Sequence, residues 1–170
     1  MRIPVFVSCP TLLSPAQEAS RKVVIGILQD LQLEPRALGR SDYPSEYPLR
    51  EVWAIARHCS GGVILGFEQC LASQGTWKRG TPEERVFDSD DPAAFPSPWN
   101  QLEAGILFGL RLPLLIFREP SVRGGVFDPG VTDLFIHSMP PPDASAGKMA
   151  SLKEVFLKWH SKVSQHYFAT

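Results

Sequence analysis

The chain has 170 residues, 44% hydrophobic and 21% charged, the balance of a globular domain long enough to bury a core. Lys and Arg total 17 against 18 Asp and Glu, with no dense basic run, which argues against nucleic acid as a partner. Cys9, Cys59 and Cys70 are an odd set without Cys-x-x-Cys or Cys/His spacing, so neither a disulfide framework nor a metal site is expected.

The longest apolar run is far too short to span a membrane. A strand pattern begins directly after Met1-Arg2, leaving no room for a signal peptide. The expectation is a reduced cytoplasmic protein with no membrane partner, forming a single domain over residues 1–170.

Val5-Phe6-Val7 reads as a first strand buried on both faces and ended by Ser8-Cys9-Pro10. Ser14 as N-cap, Pro15 in the first turn and Gln17 as the partner of a capping box open a helix running to about Leu31. Val23, Ile27 and Leu31 mark its inner face. Leu33 to Leu38 is a weaker second strand, because Pro35 suits only an edge. A polar loop, Gly39 to Pro48, leads to a helix from Leu49 to Cys59, with Val52, Ile55 and Ala56 on one stripe.

Gly61-Gly62 breaks that helix, and Val63-Ile64-Leu65 with Phe67 makes a third strand. Residues 68–96 read as a long polar loop inserted in the domain, a length usually tied to function or motion. A helix starting at Ser97-Pro98 follows, then a fourth strand at Leu114–Phe117 and a fifth at Leu134–Ile136. The last helix spans Ala146 to His166; its stripe of Met149, Leu152, Val155, Phe156, Trp159 and Val163 reads as core packing.

Short apolar strands alternating with helices predict an α/β fold of the flavodoxin-like three-layer kind. Its parallel sheet would have about five strands in the order 2-1-3-4-5. Ligands of such sheets lie beyond the carboxyl ends of the strands, near the switch in strand order. The loops there hold Ser8 to Pro10, Arg40 to Tyr43 and the stretch from Glu68 to Trp99.

Within Ser97-Pro98-Trp99-Asn100-Gln101-Leu102-Glu103-Ala104-Gly105, one acid stands among apolar residues. With Pro98 first, Glu103 is the sixth helical residue, past the reach of the helix dipole. Leu102, Ile106 and Leu110 form a stripe, so Glu103 is expected on or beside the buried face, pointing back to the helix start. A carboxylate there has a raised pKa unless a cation or hydroxyl relieves it. Either Arg40 or Arg57 pairs with it structurally, or it is held there for chemistry. His58, His137, His160 and His166 form no catalytic or metal pattern.

Val5-Phe6-Val7-Ser8 resembles the first box of Toll/interleukin-1 receptor (TIR) domains, and Arg40-Ser41-Asp42-Tyr43-Pro44 resembles their second-box loop. Ser97-Pro98-Trp99-Asn100-Gln101-Leu102-Glu103 resembles the Ser-x-Trp-Cys-x-x-Glu motif, with Asn100 where the cysteine is usual. These landmarks cover about two-thirds of the chain in the right order; the 68–96 segment is longer than usual and a third box is unclear. Leu102-Glu103-Ala104-Gly105 before a strand also resembles nucleoside 2-deoxyribosyltransferases, which share the general fold and a nucleophilic glutamate.

Both resemblances imply cleavage of an N-glycosidic bond beside Glu103. The TIR resemblance implies NAD as substrate rather than cofactor, with ADP-ribose or a cyclised isomer as product. It also implies self-association and, among prokaryotic stand-alone chains, a role in antiphage defence. Ser8, Cys9, Arg40 and Asp42 would line the pocket, and Trp99 or Phe67 would stack on a base or nicotinamide ring. The plainer readings are backbone caps for Ser8 and Asp42, a surface pair for Arg40, a small buried residue for Cys9 and core packing for Trp99. A non-catalytic TIR-like interaction module is the alternative to an enzyme.

Overall fold

In a computed structural model, residues 2–42 and 47–169 are described. The chain opens with β1 (Ile3–Ser8), α1 (Pro15–Asp30), β2 (Leu33–Arg36), α2 (Pro48–Arg57) and β3 (Gly62–Gly66). Four short strands follow: β4 (Cys70–Ala72), β5 (Gly75–Trp77), β6 (Arg85–Phe87) and β7 (Ala93–Phe95). Then come α3 (Pro98–Gly109), β8 (Leu114–Arg118), a 3-10 turn at Gly125–Phe127, β9 (Ile136–Ser138) and α4 (Ala146–Ala169). The main sheet is parallel throughout, in the order β2-β1-β3-β8-β9. This is the expected α/β, flavodoxin-like layering. Strand β2 lies at the edge, where Pro35 costs no inner ladder bond.

The period of two along the strands divides the core. Val5, Val7, Val63, Leu65, Leu115 and Phe117 face one layer, with α1 and α4 residues such as Val24, Leu28, Phe156 and Trp159. Phe6, Ile64, Leu114 and Ile116 face the other, with Val52, Ile55 and Ala56 of α2 and Ala104 and Leu107 of α3. A Cβ on Gly62 would lie 2.9 Å from Leu107 Cδ1 and from Leu114 Cδ2. That missing side chain is what lets α3 sit close on β3.

Helix α1 begins with the capping box expected from Ser14 and Gln17, both reciprocal bonds being present. Gln17 also reaches across the sheet end, donating to the Glu68 carbonyl at 3.0 Å and to Glu119 Oε2 at 3.1 Å. The Glu119 carboxylate in turn accepts the Glu68 backbone N–H at 2.6 Å.

Two expectations are corrected. The fifth strand is displaced two residues, from 134–136 to Ile136–Ser138, pairing Ile136 with Ile116 and Ser138 with Arg118. Asp133 takes a positive φ of 54° just before it, and Phe135 is left exposed with its ring against His137. Residues 68–96 are also no featureless loop: β4 pairs antiparallel with β7, and β5 with β6, one ladder nested inside the other. Among the described residues, no helix is long and apolar enough to cross a membrane.

Candidate active site

The order of the sheet switches at β1, which has β2 on one side and β3 on the other. Beyond the carboxyl ends of these strands lies a cavity of about 400 Å³. Cys9 to Leu12 after β1, Leu38 and Gly39 after β2, Gln69 after β3 and the first turns of α3 enclose it. The size suits a nucleoside-scale group, and the position is the one that parallel sheets offer ligands.

Helix α3 is started by Ser97, whose hydroxyl accepts the Trp99 N–H at 3.2 Å, and by Pro98 at the first helical position. Its buried residues are Asn100, Glu103, Ala104 and Leu107, one face at i, i+3, i+4, i+7. The expected stripe of Leu102, Ile106 and Leu110 is not that face, since Leu102 is half-exposed. Glu103 therefore lies in the middle of the buried surface, 8% exposed, and lines the cavity.

No ion pair reaches Glu103 among the described residues. Burial pushes its carboxyl up to about 7, and a hydrogen bond from Ser8 opposes the rise. Ser8 is fully buried at the end of β1. Its hydroxyl oxygen accepts from Asn100 Nδ2 at 2.8 Å, leaving its single hydrogen for the Glu103 carboxylate. Asn100 Nδ2 also faces the Leu65 carbonyl at 3.4 Å; a carbonyl only accepts, so the amide nitrogen must be the atom on that side. The result is a chain, Asn100 to Ser8 to Glu103, across the ends of two strands and a helix, whose close link is Asn100–Ser8 and whose buried Asn100 Oδ1 has no partner among the described residues.

Cys9 and Trp99 also line the cavity. The Cys9 thiol donates weakly to the Pro10 carbonyl at 3.5 Å, and burial pushes it up to about 12, so it is no thiolate nucleophile. Trp99 is 42% exposed at the rim, free to cover a planar ring.

Arg40 does not meet Glu103. Its guanidinium donates to the Pro10 carbonyl at 2.9 Å and the Thr11 carbonyl at 3.1 Å, and lies 3.5 Å from Glu18. It shapes the cavity by holding the loop whose residues 10 and 11 form a wall. Arg57 is exposed at the end of α2.

Asp42 is taken up structurally. Its carboxylate receives Arg36 Nε at 2.9 and 3.0 Å and the Ser41 hydroxyl at 2.8 Å, closing the turn after β2. The Arg36 guanidinium holds that carboxyl below its usual range. Phe67 is excluded from the site. It continues the parity of Val63 and Leu65, is fully buried and packs in the α1/α4 layer, across the sheet from α3. Tyr43 and Pro44 of the second-box resemblance lie outside the described residues.

Sequence reasoning passed over Asn100 except as a departure from a motif. The signal for it was positional: Asn100, Glu103, Ala104 and Leu107 share one helical face. Comparison with protein-family models, with curated proteins and with solved structures finds no match.

Proposed function

We propose that this protein cleaves the N-glycosidic bond of NAD or a related nucleotide, with Glu103 as the residue acting on the ribosyl carbon. The observation that carries the reading is the placement of Glu103: buried, unpaired by any cation among the described residues, beside the Ser8 hydroxyl and facing a cavity at the switch in strand order. Leaving a carboxylate so poorly solvated is expensive. A substrate that brings positive charge relieves that cost, and nicotinamide in NAD is already cationic.

As the bond to nicotinamide lengthens, positive charge grows on the anomeric carbon. The Glu103 carboxylate stabilises that charge or attacks to form an ester. Nicotinamide departs as a neutral molecule with the bonding electron pair, so no general acid is required. Water then completes the reaction to ADP-ribose with release of one proton, or a nucleophile elsewhere in the ADP-ribosyl group attacks the anomeric carbon in place of water and closes the ring. Trp99 covers the leaving ring at the rim. Self-association and a role in antiphage defence follow from the TIR resemblance and belong to the same proposal.

Glu103→Gln keeps the side-chain volume and removes the charge. It is expected to lower nicotinamide release by at least about a thousandfold, with the circular dichroism spectrum unchanged. Mass spectrometry of concentrated protein mixed with NAD and a panel of 2-deoxynucleosides reads the outcome. Base exchange on the deoxynucleosides with NAD intact would select the deoxyribosyltransferase reading. No turnover of either, or turnover that survives Glu103→Gln, refutes the assignment.

A further inference from the structure

A second and larger cavity, of about 730 Å³, lies on the other flank of the start of α3. Pro98 and Gln101 face it, whereas Trp99, Asn100 and Glu103 face the cavity already described. One wall is supplied by the nested hairpins of the 68–96 insertion, the other by the 121–128 loop after β8.

Both walls are built rather than incidental. Gln101 Nε2 donates to the Gly124 carbonyl at 3.0 Å, and its Oε1 accepts the Val126 N–H at 3.0 Å, pinning the loop to α3. Gly124 and Gly125 have φ of 96° and 58°, where side chains are strained, and a Cβ on Gly125 would have to displace the Gln101 amide that pins the loop. Arg118 Nη1 closes the loop from below, donating to the carbonyls of Val122 at 3.1 Å and Phe127 at 2.8 Å. On the insertion side, Trp77 packs against Phe87 at 5.7 Å and Phe95 at 5.5 Å between ring centroids, yet stays 38% exposed. An indole held by two rings and open on its remaining surface is a stacking platform for a planar group.

Four charged residues line this cavity. The Asp128 carboxylate is occupied by the Gly124 N–H at 2.8 Å. The Arg85 and Arg123 side chains have no hydrogen-bond or ion-pair partner among the described residues, although Asp91 and Asp128 line the same cavity. Two guanidinium groups without a partner beside an aromatic platform match a ligand with a flat ring and an anionic group.

We propose that this cavity is a nucleotide site, with the base on Trp77 and the phosphate met by Arg85 and Arg123. It does not depend on the role given to Glu103. The nucleotide is either the far half of a dinucleotide substrate or a separate effector, and the test separates the two.

Calorimetric titration with AMP is expected to give saturable binding in the wild-type chain and equally in Glu103→Gln. Trp77→Leu and Arg123→Ala, both at exposed or half-exposed positions, should each weaken AMP by about tenfold or more. Adenosine, lacking the phosphate, should bind more weakly than AMP and be indifferent to Arg123→Ala. Absence of AMP binding, or affinity unchanged in both variants, overturns the proposal. Given binding, AMP that raises the KM for NAD marks the cavity as part of the substrate site. AMP that changes kcat at saturating NAD marks an effector. AMP binding in a chain that leaves NAD intact upholds this site while refuting the glycosidic reading.

Discussion

Among the described residues, Ser8 is the one group that favours the charged form of Glu103. Its removal should therefore be visible in the pH dependence of the rate. If ionised Glu103 is the acting species, kcat/KM falls on the acid side near the carboxyl's own value of about 7. Ser8→Ala is expected to move that limb upward by about one unit. Asn100→Leu, which frees the Ser8 hydroxyl to turn elsewhere, should move it the same way and less far. Unmoved limbs in both variants would show that the chain does not reach the reacting carboxylate.

Stability carries the opposite sign to that of an ordinary salt-bridged acid. Glu103 binds its proton more tightly folded than unfolded, its value rising from 4.5 to about 7. The native state is then favoured at low pH, loses stability as pH rises from about 4.5 to about 7, and stays at the lower level above. Glu103→Gln removes that loss. Urea titrations at pH 8 should find the variant more stable than wild type by up to about 3 kcal/mol, the gap closing towards pH 4.5. Equal midpoints at pH 8 would mean that the carboxylate is better solvated than its burial implies. The site is thus held at the expense of the fold, as expected where chemistry places a charge in apolar surroundings.

At the scale of elements, what could be read in advance was whatever repeats for long enough. The inner strands of the sheet are nearly continuous apolar runs, and α1 and α4 carry several turns of stripe, so their types and order follow from pattern. The strands of the insertion have three residues each, too few for alternation to show, and the outer pair, β4 with β7, joins residues more than twenty apart (Cys70 with Phe95, Ala72 with Ala93). Glu103 was legible because a buried acid is rare. Asn100 was not, because its burial depends on Ser8 and Leu65 from two other strands. Phe67 was misread for want of counting: Val63, Leu65 and Phe67 share a face, and that face is not the one carrying α3. Phe67→Ala should accordingly cost about 3–5 kcal/mol in chemical denaturation while leaving the KM for NAD of the folded fraction unchanged. A raised KM in protein that remains folded would return Phe67 to the site.

Across the whole molecule, α3 is the partition between two cavities. Its start separates a small cavity holding the carboxylate from a larger one walled by the insertion. Gln101 and Glu103, two residues apart and so on opposite sides of the helix, each serve one cavity from the same stretch of backbone. The insertion, which reads in sequence as a polar excursion, contributes an aromatic wall that the bare sheet lacks. Arg40 plays a comparable part on the other rim, fixing the loop after β1 from a distance rather than meeting the carboxylate.

Gln17 gives the helix start a reach beyond its own helix. Its carbonyl oxygen completes the cap on α1, while its amide hydrogens fasten the point where the chain leaves β3 and the carboxylate after β8. Three segments distant in sequence thus share one side chain as a common fastener. The first turn of α1 and the root of the insertion are joined through an amide that local pattern assigns only to beginning a helix.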